Sequence, residues 1–165
     1  MKRLLLLSLV ACGHPTATGA GSSREVVQRT LRAMDRGDVA SLRALQMASK
    51  ELRAYGTCPA TEQMTEAQQW AFLDTFTDAA LVAAAAHLRG KHVTLDAVDE
   101  FRPLEDHVTG ALIDETCRAT RAFAEQEVDL SFFVDGEDER MSLTVGRFDG
   151  RWRLLFVKYG RGFNR

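Results

Sequence analysis

The sequence predicts an α+β domain, with helices in its N-terminal half and an antiparallel sheet in its C-terminal half. Three observations carry that expectation. Between Ser22 and Leu88, helix-start signals are followed by apolar residues at helical spacing. From Val128 onward the chain alternates with period two and contains two Asp-Gly turn signals. The 165 residues, 45% hydrophobic and 27% charged, have the composition of one globular domain with a sizeable core.

The elements follow in order. Ser22-Ser23-Arg24-Glu25 reads as a capping box, and Val27, Leu31 and Met34, flanked by Val26 and Thr30, predict an amphipathic helix over 24–36. Gly37 is a natural left-handed stop, and Asp38 caps a second short helix carrying Val39, Leu42 and Leu45. Residues 49–56 fit neither helix nor strand clearly, and Gly56 to Ala60 reads as a loop holding Cys58. Thr65-Glu66-Ala67-Gln68 is a second capping box, after which nothing breaks a helix before Gly90. Trp70, Leu73, Leu81, Ala84 and Leu88 form its seam. Phe72, Phe76, Ala79 and Ala83 widen it, so burial on more than one side is expected. Asp74 and Asp78 argue against a membrane span.

After Gly90 strands take over. Residues 92–102 alternate poorly but lack turn residues, and 108–122 fit a helix or a strand equally well. Val128, Leu130, Phe132 and Val134 alternate cleanly, Asp135-Gly136 turns the chain, and Met141, Leu143 and Val145 continue it. Asp149-Gly150 makes the next hairpin, whose last strand is expected to face the core through Trp152, Leu154 and Phe156. Phe133, Leu155 and Val157 then fall on the opposite face, where a solvated sheet would carry polar residues. They are the candidate interface. Their cover is either another subunit or the segment around 108–122.

The start of the chain reads as an address. Met1-Lys2-Arg3 is positive, Leu4 to Ala11 is largely apolar, and a small residue precedes Cys12. Eight residues are far short of the ~30 Å hydrocarbon core, so this segment does not span a membrane. Leu9-Val10-Ala11-Cys12 resembles the lipobox of bacterial lipoproteins. That resemblance implies a signal peptide over 1–11 and cleavage before Cys12, which would carry the acyl chains that anchor the protein. Residues 12–23 would be the lipidated cysteine and a flexible Gly/Ser/Thr-rich linker, and 24–165 the single domain. Gly13 lies where the inner-membrane retention signal of enteric bacteria has Asp, which favours the periplasmic face of the outer membrane. With Cys12 committed to lipid in an oxidising compartment, a Cys58–Cys117 disulfide is expected, the alternative being two separately buried thiols.

Two local stretches carry a second resemblance. Met34-Asp35-Arg36-Gly37-Asp38-Val39-Ala40-Ser41-Leu42 looks like the helix–Gly-Asp–helix opening of the nuclear transport factor 2-like, or cystatin-like, superfamily. Asp149-Gly150-Arg151-Trp152-Arg153-Leu154 looks like its closing hairpin. The resemblance implies helices packed on a curved antiparallel sheet in a cone-like domain, with a pocket at the open end. Candidate pocket residues are then Tyr55, Trp70, Asp96, Asp99, Phe132 and Trp152. Family members use such pockets for isomerase or dehydratase chemistry, for small ligands, or merely as association platforms. An enzyme of isomerase or hydro-lyase type would draw its acid–base groups from His92, Asp96, Asp99, Glu100 and Tyr55. Those carboxylates read equally well as a solvated strand face.

Other chemistries find little support. No nucleophile elbow or phosphate-binding glycine loop occurs, and no cofactor is expected. His87 and His92 are five residues apart across Gly90, and His107 beside Glu105 and Asp106 reads as a solvated charged loop, so no metal site is expected. A net charge of −2 gives no field for nucleic acid. Arg147, Arg151, Arg153, Lys158, Arg161 and Arg165 make the C-terminal end basic, suited to an anionic envelope component or to plain solvation. The functional expectation is a lipid-anchored, non-catalytic envelope module that binds a small apolar ligand, a second copy or another envelope protein.

Overall fold

A computed structural model describes residues 19–61, 63–91, 93–113 and 117–159, with the backbone alone at 93–100. Cys12, the leader, His92, Arg161 and Arg165 lie outside the described residues, as do the side chains of Asp96, Asp99 and Glu100.

The fold is α+β with antiparallel sheets. Helix α1 (Ser23–Asp35) starts where Ser22 Oγ accepts from the Glu25 amide, while Glu25 Oε2 accepts from the Gly21 amide at 2.8 Å. Gly37 has φ +62°, and a Cβ there would lie 2.8 Å from the Arg89 side chain, so both backbone sign and space call for glycine. Asp38 caps α2 (Val39–Leu45), and the ambiguous stretch after it holds α3 (Ser49–Leu52) and β1 (Gly56–Thr57). Helix α4 (Glu66–Leu88) opens on the expected Thr65–Gln68 box and ends before Gly90. Then come β2 (Val93–Phe101), β3 (Glu105–His107), β4 (Arg118–Ala119), β5 (Phe123–Val134), β6 (Glu137–Phe148) and β7 (Arg151–Tyr159). Both Asp-Gly pairs have positive φ at each residue, the conformation of a type I′ hairpin turn.

The large sheet runs β2-β5-β6-β7, with β3 continuing along β5 beyond β2; β1 and β4 form a separate two-stranded ladder. Strand β2 carries register shifts between Leu95 and Ala97 and between Val98 and Glu100, which is why its sequence alternates poorly. One sheet face meets α1, α2 and the C-terminal half of α4. Leu42, Leu81, Leu88, Val128, Leu130, Phe132, Leu143 and Leu154 form the centre of this core.

Strand β7 departs from simple alternation. Leu154 pairs with Val145 but Phe156 pairs with Thr144, leaving Leu155 as the extra residue of a β-bulge. The bulge reverses the phase of the strand. Before it Trp152 and Leu154 face the main core; after it Val157 does, while Phe156 turns to the other face. The expected interface is corrected accordingly: Leu155 and Val157 are only 4% and 3% exposed, whereas Phe133 remains 37% exposed. Cover over the second face comes from the same chain. Met47, Tyr55, Ala119, Phe123, Phe148 and Leu155 form a second buried cluster there, with Leu52, Ile113 and Phe156 at its edge.

Three other expectations change. The linker is expected to run to residue 23, but Ala20 is buried and exchanges two backbone hydrogen bonds with Trp152, 2.9 and 3.0 Å long. Helix α4 is buried on one side only: Phe72 and Phe76 are 61% and 55% exposed, and Ala79, Ala83 and Ala86 continue that open stripe. By length and composition α4 is apolar enough to cross a membrane, yet Asp78 is held by Arg43 at 2.7 Å and its C-terminal half is core. His107, expected in a solvated loop, is 2% exposed, because β3 pairs it with Phe123 and stacks the two rings 4.6 Å apart. Three basic residues of the last hairpin are engaged within the chain. Arg153 donates to the Gln46 carbonyl at 2.8 Å, Lys158 lies 3.6 Å from Glu127, and Arg147 lies 3.6 Å from Asp106.

Candidate functional site

A cleft of about 1110 Å³ opens on the second face of the sheet. Glu127, Thr144 and Phe156 form one cross-strand row along it, next to the buried row Val128, Leu143 and Val157. The N-terminal half of α4 supplies Trp70, Leu73 and Phe76 as an apolar wall, and Tyr55, Phe123 and Leu155 contribute their buried cluster. The bulge thus positions two residues of the site. Without it Phe156 would point into the main core.

The disulfide holds one end of the cleft. Cys58 and Cys117 both line it, with sulfurs 2.08 Å apart and Cα atoms 4.2 Å apart, and they flank the paired strands β1 and β4. The small sheet and the covering segment are thereby tied together across 59 residues of sequence.

Of the six candidate pocket residues, Tyr55 and Trp70 line the cleft. Phe132 and Trp152 do not; they belong to the main core, on the sheet face packed against α1 and α2, so the expectation for them is corrected. Backbone register places Asp96 and Asp99 at the two irregularities of β2. Tyr55 turns its hydroxyl away from acid–base work in the cleft. It donates to Asp149 Oδ2 at 2.6 Å, while the Arg121 guanidinium lies 4.6 Å over its ring and 2.9 Å from the same carboxylate. Burial, and then the Asp149 hydrogen bond, raise the phenol above its ordinary pKa.

Among the described lining residues, the charged ones, Arg102, Glu105, Glu125, Glu127 and Lys158, gather along one rim. Arg102 lies 3.2 Å from Glu127 and 3.0 Å from Asp129, and Lys158 shares Glu127. Further along β5, Glu125 lies directly opposite Glu105, and His107 presents Nε2 3.3 Å from Glu125 and 4.0 Å from Glu105. These three donor atoms lie within 4.8 Å of one another, a grouping able to hold a metal ion. Burial raises the Glu125 pKa, with the nearby His107 opposing it and Glu105 and Glu127 adding to the rise. Sequence reasoning missed this cluster, although Glu105-x-His107 and Glu125-x-Glu127 both carry the period-two signal of one strand face.

Comparison with protein-family models, curated proteins and solved structures gives no match for the chain.

Proposed function

We propose that this is a ligand-binding module of the cell envelope, held by acyl chains on Cys12 and taking a small, largely apolar molecule in the cleft. The observation that carries the reading is the cleft itself: aromatic and aliphatic walls, the described charged residues gathered on one rim, and two strongly exposed phenylalanines in its lining. Such a ligand would cover Phe72 and Phe76, which otherwise leave an apolar stripe in water. The disulfide at the cleft's edge suits an oxidising compartment, in keeping with the lipobox-like leader. A cone-like, nuclear transport factor 2-like arrangement is part of the same proposal, supported by the helix-then-meander order and the Gly37-Asp38 and Asp149-Gly150 turns.

Phe76 lines the cleft yet is exposed, so Phe76→Ser should leave stability within about 0.5 kcal/mol of the parent. It should weaken binding of an apolar fluorescent probe such as anilinonaphthalene sulfonate about tenfold, the effect of losing ~1.5 kcal/mol of apolar burial. Unchanged probe affinity in a folded variant contradicts the assignment. The anchor has its own test: Cys12→Ser should abolish acylation and release the domain from membranes or leave the precursor uncut. A cleaved variant that still sediments with membranes would show that lipid is not what holds it.

A further inference from the structure

We propose that His107, Glu125 and Glu105 form a divalent transition-metal site on the wall of the cleft, with zinc as the ion to test. Three independent features point there. The imidazole of His107 is almost wholly buried, and its Nε2 faces the Glu125 carboxylate at 3.3 Å without the alignment of a hydrogen bond. A buried polar nitrogen left this way is costly, and a metal ion would satisfy it. Second, β3–β5 register sets Glu105 directly opposite Glu125. Like charges in directly opposed positions destabilise a strand pair unless a cation lies between them. Third, among the described residues no lysine or arginine pairs with either carboxylate, which face His107 instead: Arg102 and Lys158 pair with Glu127, and Arg147 with Asp106.

The geometry fits the chemistry. Tetrahedral zinc with ligands at 2.0–2.2 Å brings neighbouring donor atoms to roughly 3.3–3.6 Å of one another. Nε2 already stands 3.3 Å from Glu125 and 4.0 Å from Glu105, so small side-chain rotations complete the set. Two carboxylates and one imidazole neutralise a doubly charged ion, and the nitrogen ligand favours a transition metal over calcium or magnesium. Phe123, stacked on the imidazole, fixes its plane. Because Glu105 and Glu125 both line the cleft, the remaining coordination positions are reached from it. The assignment does not rest on the ligand-binding reading, and an unchanged probe affinity in Phe76→Ser would leave it standing.

The test is calorimetric titration of zinc chloride into chelator-treated full-length protein. One equivalent should bind, and thermal unfolding should move upward with zinc concentration. Glu105→Gln and Glu125→Gln should each weaken binding at least about tenfold, since even outer-shell partners of metal ligands are worth that much. The Glu105 side chain is 69% exposed, so Glu105→Gln keeps the fold, as its unfolding temperature without metal would verify. His107→Ala serves as a third variant but removes a buried ring. No zinc-dependent shift in the parent protein overturns the site. So does retention of parental affinity by the folded Glu105→Gln/Glu125→Gln double variant, which would place the ion at another histidine.

Discussion

Replacing both cysteines in Cys58→Ser/Cys117→Ser should lower the unfolding free energy by about 4 kcal/mol, the largest effect expected of any change at the cleft. The bridge closes a loop spanning 59 residues of separation, and releasing it restores the conformational freedom that the crosslink removes from the unfolded chain. Gly56 and Thr57 pair with only two residues of β4, a short ladder that the Thr120 amide extends by donating to the Tyr55 carbonyl at 2.8 Å. Tyr55 and Ala119, which cover Leu155 of β7, lie within a few residues of the two cysteines. Urea unfolding followed by far-UV circular dichroism checks this. A midpoint unchanged from the parent, under oxidising conditions, would mean that packing and not the crosslink holds the segment down.

Phe132→Ala should cost about 3–5 kcal/mol, while Phe133→Ala, one residue along, should cost well under about 1 kcal/mol. The two rings are adjacent in sequence and opposite in fate. Phe132 is fully buried among the core residues of β5–β7, with its ring 6.1 Å from that of Tyr159, and a methyl in its place leaves a cavity the sheet cannot close. Phe133 stands on the other face, partly open to solvent. Comparable losses in the two variants would show that the strand is not in this register.

Most of the scaffold was legible in the sequence because its boundaries are set by local chemistry. Ser22, Asp38 and Thr65 cap helices by accepting amide hydrogens that the first turn leaves unpaired, and both Asp-Gly pairs form the turns such pairs favour. What stayed hidden depends on tertiary arrangement. Leu154-Leu155-Phe156-Val157 is apolar in either phase, so nothing in it announces the bulge that reverses β7. Helix α4 is apolar around much of its circumference, and periodicity alone does not tell which side is covered. The core takes the side of Leu81, Ala84 and Leu88 and leaves Phe72 and Phe76 in the open.

The cleft was only partly legible. Of the six residues that the resemblance implied for a pocket, Tyr55 and Trp70 line this cleft, and the cysteine pair follows from compartment logic. The His107 cluster needs register: Glu105 and Glu125 are distant in sequence, and only the β3–β5 ladder sets them face to face. A run of charged residues containing one histidine looks like a solvated loop until Phe123 is placed over the ring.

Trp70 fluorescence offers the most direct measurement of the central claim, that an apolar molecule is taken up in this cleft. Trp70 lines the cleft and Trp152 lies in the main core, so Trp152→Phe leaves one emitter at the site. Titration of anilinonaphthalene sulfonate into that variant should quench its emission saturably, with one probe bound per chain and energy passed to the probe. Emission from Trp70 that is indifferent to bound probe, with probe uptake undiminished in Trp70→Phe, would put the binding surface elsewhere and contradict the account.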